Sequence, residues 1–149
     1  MEIGQKGSDN FPKLVRLTRE TEYALRGLAA LARRPEGTGV PLSGLAVAEG
    51  LPTSFLAKIF QKLARHGIVE ARRGAGRGYA LATAPDSVTV LEVIEAVEGS
   101  DYLDRCLFWG GRCGGTSPCL LHDRWAGIKP QLQEWLEGTT LADLAEAMA

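Results

Sequence analysis

The sequence predicts a mainly α-helical fold that carries one small β-hairpin and, after it, a long helix. Three observations predict it. Leu56, Ile59, Phe60 and Leu63 recur at helical spacing on one face of a segment that Gly67 stops. Next, Ile68-Val69-Glu70-Ala71-Arg72-Arg73 and Tyr79-Ala80-Leu81 flank the run Gly74-Ala75-Gly76-Arg77-Gly78, the order of strand, glycine turn and strand. Finally, Leu121, Trp125, Ile128, Leu132 and Trp135 are spaced four, three, four and three, the step of a heptad seam.

The elements follow in order. Residues 1–13 are polar, with Gly4, Gly7, Asn10 and Pro12 and no apolar period, so 1–15 is expected to be a flexible extension. That stretch also lacks the apolar core of a secretion signal. Thr18 can cap a first helix, with Glu20 and Glu22 in its first turns, where the helix dipole favours anions. Tyr23, Leu25, Leu28, Ala29 and Leu31 give it an apolar stripe, and Pro35 to Gly39 end it. A short helix over about 42–48 is closed by Gly50, and Leu51-Pro52-Thr53-Ser54 opens a longer one that runs to about Arg65. Beyond the hairpin, Thr89-Val90-Leu91-Glu92 is a capping box, with Val90, Ile94 and Val97 inward and Gly99 as the stop. Pro130 should kink or divide the long helix. Thr140 caps a last short helix.

Two short helices followed by a hairpin make a winged helix-turn-helix, whose second helix can enter a DNA major groove. The longer helix ending near Arg65 would turn Thr53, Ser54, Lys58 and Lys62 outward, and a wing tip with Arg73 and Arg77 can reach phosphates or a narrow minor groove. The net charge of −1 excludes polyanion binding by bulk charge. Its distribution permits local binding: from Pro52 to Tyr79 the basic residues face Glu70 alone, and after Lys129 no basic residue occurs. A merely solvated basic helix face is the plainer alternative, and the helix–helix–hairpin order argues against it. A nucleotide loop is excluded, because the glycine run lacks the Gly-Lys-Ser/Thr ending. Within the 149 residues, the division is 1–15 extension, 16–84 DNA-binding domain, and 85–149 ligand loop and dimerisation helices. A chain of this length buries about two thirds of its unfolded surface and needs no metal to fold.

The 3 cysteines, Cys106, Cys113 and Cys119, all fall in a loop with Gly110, Gly111, Gly114, Gly115 and Pro118. Their odd number and the lack of a secretion signal argue against disulfides. Packing thiols would be scattered through apolar elements. Gathered thiols in a pliant loop point to ligation, and a helix starting near Cys119 would put His122 one turn away on the same face. Soft thiolates with an imidazole suit zinc or an iron–sulfur cluster. The heptad seam, with its two tryptophans, favours a symmetric homodimer over packing on its own domain. Reduced thiols and the absence of any membrane-length apolar run imply a cytoplasmic protein with no membrane partner.

From 16 to 144 the chain resembles the bacterial iron–sulfur winged-helix transcription regulators, the IscR/NsrR-like family. The resemblance rests on Arg16-Leu17-Thr18, Tyr23-Ala24, Ser54-Phe55-Leu56, Arg73 to Tyr79, and the cysteine loop. It implies a homodimeric regulator of the repressor type on a palindromic operator, with one cluster per subunit that senses iron, redox or nitric oxide status. Cys106, Cys113 and Cys119 would be cluster ligands. The fourth would be His122, as in IscR-like members, or Glu22, as in NsrR-like members that reach across the dimer. Three Cys and a His suit a 2Fe–2S cluster first and 4Fe–4S second. Ser54, Lys58 and Arg73 are the leading DNA contacts. There are departures from the pattern. Cys106 and Cys113 stand one residue further apart than is usual. Ala57 replaces a glutamate that helps IscR-like members choose between operator types. Arg77 replaces a wing glycine. Two rival readings remain: a structural Cys3His zinc site without redox sensing, and a thiol enzyme using His66 or His122 as base, for which no orienting third residue is visible.

Overall fold

The computed structural model describes residues 18–74, 77–104 and 121–148. Thr18 caps α1 (Arg19–Ala32), its hydroxyl oxygen accepting from the Thr21 N–H. Ala24, Gly27, Leu28, Ala29, Ala30 and Leu31 are buried along it. This helix is the spine of the fold: α2 (Leu42–Glu49), α3 (Thr53–Arg65), α4 (Val90–Glu98) and α6 (Leu141–Ala147) all pack against it. The contact with α3 is close because of Gly27. A Cβ there would lie 3.1 Å from Phe60 Cε1 and 3.4 Å from Leu56 Cδ1. Gly50, at φ 66, closes α2, and Leu51 N–H then donates to Ala46 O.

The predicted recognition helix forms where expected. Leu56, Ile59, Phe60 and Leu63 are each 0% exposed, and burying a side chain of this size contributes about 1.5–3 kcal/mol. Gly67 follows α3, and β1 (Val69–Arg72) pairs antiparallel with β2 (Gly78–Leu81), Val69 opposite Leu81 and Arg72 opposite Gly78. Val40 adds a third, one-residue rung: Val40 and Tyr79 exchange both backbone hydrogen bonds at 2.9 Å. Gly78 makes that rung possible. Its φ is 130, and a Cβ would sit 2.1 Å from Val40 O. The edge-to-face pair of Phe60 and Tyr79, 5.3 Å between centroids, joins hairpin to helix.

Short 3-10 turns at Pro85–Ser87 and Tyr102–Asp104 flank α4. Its capping box is complete: Glu92 N–H donates to Thr89 Oγ1, and Thr89 N–H to Glu92 Oε2. Thr140 and Asp143 repeat the device at α6. The two starts are laced together, Val90 N–H to Thr139 O at 2.8 Å and Leu141 N–H to Val88 O at 3.0 Å. Thus α6 returns to the N-terminal half, with Leu141 fully buried.

The long helix α5 (His122–Gly138) runs through Pro130 undivided, contrary to a break there. Proline removes one N–H and crowds the carbonyl four residues earlier. Here Pro130 and Ala126 are both exposed, so water can take the freed carbonyl. The heptad seam separates into two rows. Trp125 is buried and Leu132 half-buried, whereas Leu121, Ile128 and Trp135, one heptad apart, are exposed. Among the described residues no helix is long and apolar enough to cross a membrane.

Candidate DNA interface and ligand loop

The start of α3 is built to meet an anion. Pro52 occupies the cap position without a side-chain hydrogen bond, and no acidic residue stands in the first turn. The leading N–H groups are therefore uncapped by any side chain. Thr53 and Ser54 lie exposed at this end, and Lys58 is exposed one turn beyond Ser54. Behind them the four buried apolar residues fix which face looks outward. Arg73 and Arg77 are exposed at the hairpin end, and neither has an ion-pair partner among the described residues. Arg72 differs, its guanidinium 2.8 Å from Glu70.

Lys62 is held differently from its neighbours. Its ammonium lies 2.6 Å from Glu20 Oε1, tying the C-terminal half of α3 to the first turn of α1. The next residue on α1, Thr21, is fully buried, and its hydroxyl donates to Glu98 Oε2 at 2.9 Å. One turn of α1 therefore grips both the recognition helix and the C-terminal end of α4. Sequence reasoning missed both contacts. Thr21 stands between Glu20 and Glu22 in the sequence, so nothing there marked it as buried or pointed to its polar partner.

Of the candidate ligands, Cys106, Cys113 and Cys119 lie outside the described residues. His122 is the first residue of α5 and is half-buried. Glu22 is exposed on α1 and stands 3.7 Å from Arg26, an ordinary pair one turn apart. Asp104 and Lys129, at 3.7 Å, connect the two flanks of the loop. Among the described residues no three His, Cys, Asp or Glu gather closely enough to hold a metal ion. A multi-ligand centre would therefore have to draw on the loop thiols. The donor set fits a soft metal or cluster: three thiols, with an imidazole or carboxylate as fourth. One further feature fits an anionic centre nearby. The indole Nε1 of Trp125 is buried with no hydrogen-bond acceptor among the described residues.

Comparison with known proteins follows the same lines. The family model Rrf2, described as iron-dependent transcriptional regulator, matches residues 17–147. The HTH-type transcriptional regulator IscR of Escherichia coli is 35% identical over 130 residues, covering 87% of this chain and 80% of its own. Among solved structures, CymR (YrzC), the global cysteine regulator of B. subtilis, superposes with a TM-score of 0.74 at 25% identity, over 89% of this chain and 97% of that one. IscR of T. potens superposes with a TM-score of 0.72 at 24% identity, over 96% and 92% of the two chains.

Proposed function

The chain belongs to the Rrf2 family of iron-dependent transcriptional regulators, and from that premise we propose a homodimer whose hold on a palindromic operator is set by an iron–sulfur cluster in the cysteine loop. The observation that carries the DNA half is the start of α3: Thr53, Ser54 and Lys58 outward over a fully buried apolar face, beside a hairpin bearing Arg73 and Arg77, exposed and without an ion-pair partner among the described residues. Ser54 would meet a base edge or phosphate, Lys58 a phosphate one turn on, and Arg73 the minor groove. Lys62 would contribute only when it leaves Glu20.

Residues 16–84 would read DNA, and 85–149 would hold the cluster and the dimer contact. Cys106, Cys113 and Cys119 would ligate it, with His122 favoured as fourth ligand over Glu22. His122 adjoins the loop in sequence, whereas Glu22 lies far from it in sequence, on α1. Three thiolates and an imidazole suit 2Fe–2S before 4Fe–4S. When bound, such a cluster supplies a centre that changes charge, reacts with oxygen or nitric oxide, or is lost when iron is scarce. The chain supplies the coupling. Glu98 ends α4 ahead of the loop and accepts from Thr21, while Glu20 holds Lys62 of α3. A displacement at the end of α4 would therefore be felt at α3 through one turn of α1. About 1.4 kcal/mol of difference between the two arrangements changes operator affinity tenfold. The relatives named above are transcriptional regulators, which favours regulation over thiol catalysis.

Protein prepared without oxygen is expected to be coloured, with visible absorption that disappears when the three cysteines are replaced by alanine. Colourless protein holding stoichiometric zinc would instead make the loop a structural metal site.

A further inference from the structure

Of the basic residues on α3, Lys58, Lys62 and Arg65, only Lys62 has an ion-pair partner among the described residues. Its ammonium lies 2.6 Å from Glu20 Oε1 in the first turn of α1, whereas Lys58 and Arg65 stand exposed. The pair is half-buried, the Lys62 side chain 40% and the Glu20 side chain 31% exposed. At about 3.6 residues per turn, Ser54, Lys58 and Arg65 fall along the middle of the outward face. Lys62 falls on the flank toward α1, in line with Phe55, whose ring meets Tyr23 edge to face at 5.6 Å. Glu20 and Tyr23 are one turn apart, so one edge of α1 runs beside this flank of α3.

A helix lying in a major groove turns its middle to base edges and its flanks to the phosphate strands on either side. A lysine on the flank is therefore placed for a phosphate. Carboxylate and phosphate make the same demand on an ammonium, a charge-assisted hydrogen bond to an anionic oxygen, so the two compete. The lysine stem is long and flexible, and the ammonium can swing from one anion to the other without moving the helix. Glu20 keeps a favourable place without Lys62, because the positive end of the α1 dipole stabilises an anion in the first turn. Contact between Lys62 and a phosphate must first give up the Glu20 pair.

Resting on the reading of α3 as the DNA-binding helix, we propose that Glu20 is a built-in competitor for phosphate, which occupies Lys62 in the free protein and yields it when a duplex closes on α3. Glu20 is then a positioning residue that acts through Lys62. Phosphate contacts carry no sequence information, so Glu20 lowers the hold on every duplex alike. Its effect falls on the sequence-independent part of binding, which governs how much protein rests on DNA other than its operator.

Fluorescence anisotropy of the full chain with a mixed-sequence DNA duplex at low salt reads that part of binding directly. Glu20→Gln should tighten binding about threefold per bound chain, the scale of a partly exposed ion pair. The same substitution made on Lys62→Ala should give a clearly smaller gain, because no cation is left to release. An equal or larger gain without Lys62 would make Glu20 a nearby charge that merely repels the duplex. Unchanged or weaker binding by Glu20→Gln would mean that the pair survives on DNA, and either result overturns the inference alone. Should Glu20→Gln not fold, Glu20→Asp keeps the first-turn anion, shortens its reach, and should show the same dependence on Lys62. A parent that binds no duplex would defeat the reading of α3 itself, and this inference with it.

Discussion

Helices α3 and α5 both carry apolar residues at regular helical steps, yet they treat them oppositely. In α3 all four, Leu56, Ile59, Phe60 and Leu63, vanish into the core. In α5 only Trp125 is buried, while Ile128 is 55% and Trp135 70% exposed. The difference teaches that the apolar face of α3 is covered within one chain and the outer row of α5 is not. A row of large apolar side chains one heptad apart, left in water, is the surface that the proposed symmetric partner would cover. On the proposed reading, the DNA-reading helix owes its shape to its own fold and would owe its spacing from a second copy to α5.

The largest effect should separate the two helices by stability. Phe60→Ala is expected to cost about 3–5 kcal/mol, whereas Trp135→Ala should change the unfolding free energy of the dilute monomer by less than about 0.5 kcal/mol. Denaturant titration measures both, and similar losses would erase the contrast. The contrast sharpens in assembly. Ile128→Glu with Trp135→Glu should sediment as a folded monomer and bind operator about 100-fold more weakly, roughly 2.8 kcal/mol. A dimer that survives both charges would place the interface elsewhere.

A smaller effect tests the hairpin. Arg73→Ala should weaken operator binding about tenfold and lower the salt dependence by about one counterion, with dimerisation untouched. Unchanged gel-shift affinity would remove Arg73 from the interface. Smallest is Thr140→Ala, which breaks the α6 capping box. It should cost about 1 kcal/mol of stability and leave the operator affinity of the folded dimer alone.

The contrast between the helices also explains what could be read in advance. Helical period identifies the residues that share a face, so the four buried residues of α3 were legible from the sequence, and Thr18, Thr89 and Thr140 announced their helices through local capping chemistry. Period does not say what covers a face. The seam of α5 was therefore visible, but its division into an inner Trp125 and an outer Leu121–Ile128–Trp135 row was not. Nor was the passage through Pro130, which depends on solvent around Ala126. Contacts between distant residues were beyond reach: Glu20 and Lys62 are 42 positions apart, Thr21 and Glu98 77. At the candidate site, the cysteine spacing gave the donor set, and the buried indole N–H of Trp125, without an acceptor among the described residues, came only from packing.

The most direct test is to titrate one operator with cluster-loaded and cluster-free dimer, prepared without oxygen and at equal salt. The account predicts affinities at least about tenfold apart, with the difference reduced when Thr21→Val removes the hydroxyl bonded to Glu98. Equal affinities for two correctly dimeric forms would contradict it, leaving a DNA-binding protein whose loop has no say in what it binds.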